Sequence, residues 1–217
     1  MVPLKLAPRG RRLSVLCLGA HADDIEIGCG GTILTLLAQY PGSRVHWVVC
    51  SAPGRRGGEA RRSARRFLRA AGTADVQLHE FRDGFFPHEG AAIKETFEAL
   101  KPVRPDVIFT HHERDRHQDH RVVCELTWNT FRDHLILEYE IPKYDGDLGS
   151  PNLFVSLPSR VRRRKLAILN ACFASQRSKR WFSNATFEGL MRLRGVECAA
   201  ADGYAEGFHI RKAVLTA

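Results

Sequence analysis

Apolar runs and segments of helical spacing alternate along this chain. Leu13 to Gly19 is a continuous apolar run closed by a glycine, which predicts a strand buried on both faces. After a loop, residues 33, 36, 37 and 40 of Gly31 to Tyr40 fall on one helical face, and Arg44 to Cys50 predicts a second strand. Glu59 to Ala71 places Ala60, Ala64, Phe67, Leu68 and Ala71 on one face and Arg61, Arg65 and Arg69 on another. Val76 to His79 and Asp106 to Thr110 read as strands flanking a helix over Ala91 to Leu100. Further on, Val123, Leu126, Thr127, Thr130 and Phe131 recur at helical spacing, and Leu135 to Ile141 predicts a strand. The remaining helices are expected over Ser159 to Ala174, with Ser159 as N-cap, and over Thr186 to Arg194. Phe208 to Leu215 reads as a closing strand, and Gly146 to Pro158 as a surface excursion. Strand and helix in alternation imply an α/β domain: a Rossmann-like three-layer fold with a mostly parallel sheet.

The 217 residues fit a single domain over 1–217, with 1–12 expected as a flexible, basic lead. No apolar run reaches the ~18 residues that span a bilayer, so no transmembrane segment is expected. Six cysteines stand singly, with no C-x-x-C pair. That usage suits small buried hydrophobes in a reducing compartment, and a cytoplasmic location is expected. The net charge of +9 raises the question of nucleic acid. The excess is mostly arginine, in Arg55 to Arg69 and Arg160 to Lys165, and the second run has no interleaved aromatics on which bases could stack. A solvated face or the rim of an anionic-substrate site accounts for it, and no nucleic-acid partner is expected.

Ligands of open α/β sheets gather beyond the carboxyl ends of the strands. Two expected loops there, 19–32 and 111–120, carry five of the ten histidines. His21 and Asp24, three residues apart, can aim a nitrogen and an oxygen at one point, with His120 arriving from the second loop. Three N and O ligands with an open position are the arrangement of catalytic zinc. Asp23, beside a ligand but pointing elsewhere, is placed to take a proton from a metal-bound water. His117, one helical turn before His120, can stabilise an oxyanion as an imidazolium held by Asp119 or Asp115 and then protonate a leaving amine. Gly28, Gly30 and Gly31 lack the G-x-G-x-x-G frame of a dinucleotide site, and close helix packing explains them. A metal-dependent phosphoesterase is one rival reading, and a catalytically silent, basic ligand-binding protein is another.

His21-Ala22-Asp23-Asp24 followed by Gly28 to Thr32, and Asp115-x-His117-x-Asp119-His120, resemble the two signatures of the PIG-L/LmbE-like zinc de-N-acetylases. Weaker likeness runs through Arg56-Gly57-Gly58-Glu59, Asp83-Gly84 and Tyr204-Ala205-Glu206-Gly207-Phe208. The resemblance implies one Zn²⁺ per chain, or another divalent metal, on His21, Asp24 and His120. It implies Asp23 as general base, His117 as oxyanion-stabilising acid with Asp119 as its partner, and Arg56 as a substrate contact, a part Arg55 could also take. Ala22 stands where the signature has proline, and Ile25 and Glu26 displace its next acidic residue. The expected substrate is an N-acetylated amino sugar of the N-acetylglucosamine type, chosen in part by 144–154 and by aromatics near Trp181 and Phe182. A homo-oligomer fits the family pattern.

Overall fold

The computed structural model describes residues 3–214 except Arg9. Among them, seven strands form one sheet: β1 (Ser14–His21), β2 (Arg44–Ser51), β3 (Thr73–Leu78), β4 (Val107–His111), β5 (Ile136–Tyr139), β6 (Leu153–Ser156) and β7 (Ala205–His209). Their order is β3-β2-β1-β4-β5-β7-β6. The ladders linking β3 through β5 are parallel, while β7 runs antiparallel to both β5 and β6. Six α-helices of the described residues cover the sheet: α1 (Asp24–Gln39), α2 (Arg55–Phe67), α3 (Gly90–Ala99), α4 (Gln118–Thr130), α5 (Ser159–Cys172) and α6 (Asn184–Glu197).

Strand alternation divides the interior into two cores. Val15, Cys17, Val45, Trp47, Val49 and Phe109 pack with residues of α1, α2, α5 and α6, whereas Leu16, Leu18, Val48 and Ile108 pack with α3 and α4. Helices on both faces of a mostly parallel sheet make the three layers expected from the sequence. All six cysteines are free, five of them buried. Among the described residues no helix is long and apolar enough to cross a membrane.

The departures from the sequence reading are local. Helix α1 begins at Asp24 rather than Gly31, so most of the expected first loop is helix. Its glycines admit neighbours: a Cβ on Gly28 would lie 2.2 Å from the Tyr139 ring, and one on Gly31 would lie 2.7 Å from Leu157. Tertiary contact thus outweighs the low helix propensity of glycine. The excursion 146–158 contains β6, an antiparallel edge strand beside β7. The closing strand is Ala205–His209, several residues earlier than expected, and its predicted end at Leu215 lies outside the described residues. Ser159 supplies no cap with its side chain; its amide donates to Asp202 Oδ2 at 2.6 Å.

Glu138 of β5 ties the sheet to its surroundings. Wholly buried, it accepts from His112 Nδ1 (2.7 Å), the Glu113 amide (3.0 Å), Trp128 Nε1 (2.6 Å) and Arg211 Nε (2.7 Å). Burial opposes its charge, yet His112, the Glu113 amide, Trp128 and Arg211 hold the carboxyl down to about 2. A depressed value in the folded state stabilises above the unfolded value and is lost as pH falls through the folded one. Unfolding stability should therefore decline as pH drops from about 4.5 toward about 2. Glu138→Gln should be less stable near neutrality, by up to about 3 kcal/mol, and should show a flatter acid limb in urea titrations. An unchanged acid limb in the variant would contradict this account.

Candidate metal centre and active-site cleft

The sheet order reverses at β1, which lies between β2 and β4. Such a switch point opens a crevice at the carboxyl ends of the strands. His21 ends β1, Asp23 is the N-cap of α1, and Asp24 is that helix's first residue. His111 ends β4, and His117 caps α4, the helix that carries Asp119 and His120. His21, Asp23, Asp24, Arg56, His117 and His120 line one cleft of about 320 Å³, joined at its outer wall by Tyr144 and Trp181. Cleft volumes of ~300–1,000 Å³ are those of small-molecule sites.

His21 Nδ1, Asp24 Oδ2 and His120 Nε2 stand 3.2, 3.3 and 3.5 Å from one another. A tetrahedral zinc site with bonds of ~2.0–2.1 Å has ligand-to-ligand edges of about 3.3 Å. The three donors therefore fit three corners of such a site. Asp24 is buried, and although burial opposes its charge, His120, His111 and His21 hold the carboxyl well below the usual carboxylate range. Burial, aided by the neighbouring His111, holds His120 down to about 3, leaving it a neutral ligand type. The His21 imidazole behaves oppositely: against the effect of burial, Asp119, Asp24 and Asp83 carry it well above its ordinary value.

Each histidine ring of this triangle is held at its other nitrogen. His120 Nδ1 donates to Asp115 Oδ2 at 2.8 Å, and Asp115 is in turn paired with Lys143 Nζ at 3.0 Å. His21 Nε2 lies 3.2 Å from Asp119 Oδ2 and 3.1 Å from Asp83 Oδ1. Asp119 is itself fixed by the amides of Gly84 (2.6 Å) and Phe86 (3.1 Å). Carboxylates that orient metal-bound imidazoles are a recurring device of metal sites. His111 stacks on His120 with ring centroids 3.8 Å apart and puts Nε2 3.2 Å from Asp24 Oδ2.

Next to this centre Asp23 is buried with Oδ1 bound to Arg56 Nη2 at 2.5 Å, while Oδ2 has no partner among the described residues. Burial raises its carboxyl above the ordinary value in spite of Arg56. Arg56 also reaches Glu59 and Ser175, each at 3.4 Å, whereas Arg55 points outward with its side chain 70% exposed.

The sequence matches the PIG-L family, described as GlcNAc-PI de-N-acetylase, over residues 16–131. The chain belongs to the PIG-L family. It is 30% identical over 175 residues to the uncharacterized deacetylase YaiS of Escherichia coli strain K12, covering 76% of this chain and 92% of the relative. Among solved structures, the N,N'-diacetylchitobiose deacetylase of Pyrococcus horikoshii superposes with a TM-score of 0.71 at 21% identity, over 90% of this chain and 82% of that one. GalB, the 4-carboxy-2-hydroxymuconate hydratase of Pseudomonas putida KT2440, superposes with a TM-score of 0.73 at 19% identity, over 94% and 98%. These two likenesses bear on the fold alone.

Within this PIG-L fold the structure brings together all seven residues singled out from the sequence, but two contacts differ from those expected. The Asp119 carboxylate faces His21, not His117; only its backbone amide reaches His117, donating to Nδ1 at 3.2 Å. Asp115 likewise receives the His117 amide rather than its ring. The His117 imidazole is lowered from its ordinary value, by burial first and then by His21. Sequence reading passed over Lys143, and assigned no part to Glu59 or Asp83 beyond the weaker family likeness. Tyr144 and Trp181 do border the cleft, while Phe182 packs in the core against Phe173 and Phe187.

Asp119→Ala keeps the three donor residues and removes one of the two carboxylates that hold the His21 ring, together with the acceptor of the Gly84 and Phe86 amides. Divalent-metal affinity of this PIG-L protein should fall about 10–100-fold, read by competition with a chromophoric chelator. Wild-type affinity in the variant would contradict the orienting role.

Proposed function

We propose that this protein is a zinc-dependent amidohydrolase, holding one ion on His21, Asp24 and His120, that removes the acetyl group from an N-acetylglucosamine-type amino sugar. Membership of a de-N-acetylase family supports the reaction class. The observation that carries the reading is the buried, unpartnered Oδ2 of Asp23 beside a triangle of donors spaced for a tetrahedral ion. When bound, the ion supplies Lewis acidity for the amide carbonyl and for water.

The residues do the rest. Arg56 fixes one oxygen of Asp23, so the other is presented to the cleft as a base. Its raised carboxyl value brings it closer to neutrality than an ordinary aspartate, which suits a group that both accepts and returns a proton. Asp23 takes the proton of the attacking water as its oxygen bonds to the acetyl carbon. His117, with Nδ1 occupied by the Asp119 amide, offers Nε2–H to the developing oxyanion. Collapse breaks the carbon–nitrogen bond, and the proton held on Asp23 passes to the departing amine. The products are acetate and a free amino sugar. Tyr144 and Trp181 offer ring faces to the sugar, and Lys179 lies over the Trp181 ring at 5.5 Å.

Purified protein should release acetate from a panel of N-acetylglucosamine compounds, lose that activity to a chelator and regain it with zinc. Asp23→Asn should retain metal while its turnover falls at least about 10²-fold. Wild-type turnover in the metal-loaded Asp23→Asn variant would remove Asp23 from the mechanism. Trp181→Ala should raise KM with a smaller effect on kcat, and the reverse split would place Trp181 in the chemistry rather than in sugar binding.

A further inference from the structure

Helix α1 carries an unusual attachment in its middle. Lys165 of α5 and Glu206 of β7 are both buried and paired at 2.6 Å. Lys165 Nζ donates to the Ile27 carbonyl at 2.5 Å. Glu206 Oε1 accepts from the Gly31 amide at 2.8 Å, and Oε2 accepts from the Thr32 amide at 2.6 Å. In an α-helix the Ile27 carbonyl is the acceptor for the Gly31 amide, so the ion pair grips the helix on both sides of one rung. Glycine at 31 makes this approach feasible, because a Cβ there would sit 2.8 Å from Glu206 Oε1.

A buried ion pair that serves stability alone is dispensable, since apolar residues of similar volume commonly do as well. This pair, however, spends its hydrogen bonds on the main chain of the helix that starts at Asp24. The rung it holds lies one turn beyond that residue, and the Ile27 amide in turn donates to the Asp23 carbonyl at 3.0 Å. Side chains inserted into a helix ladder set the local bend. Here the inserted groups sit next to the first turn, which follows directly on β1.

We propose that Lys165 and Glu206 are positioning residues, which bind the backbone of α1 and thereby hold Asp23 and Asp24 in register with His21 and His120. The turnover part of this inference rests on the proposed deacetylase reaction; the backbone part does not.

The test is the paired substitution Lys165→Met with Glu206→Leu, which removes both charges and roughly keeps volume. The variant should fold, with wild-type far-UV circular dichroism, but amide exchange in the segment 21–32 should quicken at least about tenfold. Turnover should fall about 10–100-fold while KM stays within about threefold. Glu206→Gln, which keeps a carbonyl acceptor for one amide, should recover part of both losses. Gly31→Ala, which displaces the carboxylate and leaves the charges present, should reproduce the exchange and turnover defects, and it serves as the test if the double variant does not fold. A folded double variant, or Gly31→Ala, with wild-type exchange over 21–32 and wild-type kcat would overturn the proposal. Faster exchange in a chain whose wild type releases no acetate would uphold the positioning role and reject only the deacetylase reading.

Discussion

The cleft is organised around one buried negative charge. Asp24 is 4% exposed at the start of α1, where desolvation opposes its charge. His120, His111 and His21 surround it and keep it ionised. An isolated charge cannot be buried at tolerable cost, so the position of Asp24 requires cationic or proton-donating groups at its oxygens. The His21 amide donates to Asp24 Oδ2 at 2.6 Å, and three imidazoles from two distant segments converge on the same oxygen, which makes it one corner of the donor triangle and the focus of the cluster.

Around that focus lies a frame of carboxylates with separate duties. Asp119 and Asp115 each hold one imidazole, and each is anchored in its turn, by backbone amides of 84–86 or by Lys143. Asp23 differs from both in keeping an oxygen unengaged, as the proposed proton carrier requires. The contrast extends to charge. Amides and His21 lower Asp119 against its burial, whereas burial prevails over Arg56 at Asp23. Carboxylates of one chemical type thus acquire different protonation behaviour from their surroundings. The sheet makes this division durable, because the residues stand at the ends of β1 and β4 and on the first turns of α1 and α4.

The periodicity of the chain identified five parallel strands and all six helices, because buried strands and amphipathic helices write their own periods. It misplaced elements where tertiary contact outweighs local preference. The first turns of α1 read as loop because Gly28, Gly30 and Gly31 disfavour helix, and only the rings and side chains pressed against them show why glycine is needed. Strand β6 was hidden in a segment rich in glycine and proline, since an edge strand exposed along one side carries little alternation. The convergence of His21, Asp24 and His120 was legible from clustering and from the resemblance. The partner of Asp119 was not, because sequence proximity suggested His117, two residues away, while the contact is with His21, 98 residues distant. Lys165 likewise read as the end of a solvated arginine run, and its burial depends on Glu206 arriving from the far end of the chain.

The donor triangle is the centre of the site, and cobalt reports on it directly. Titration of metal-stripped protein with Co²⁺ should saturate at one equivalent and give the intense visible d–d bands of a four-coordinate ion bound by nitrogen and oxygen. His21→Ala and His120→Ala should each abolish those bands while leaving the protein folded. Weak bands of six-coordinate cobalt, or wild-type spectra in both histidine variants, would contradict the assignment of His21, Asp24 and His120 as the metal centre.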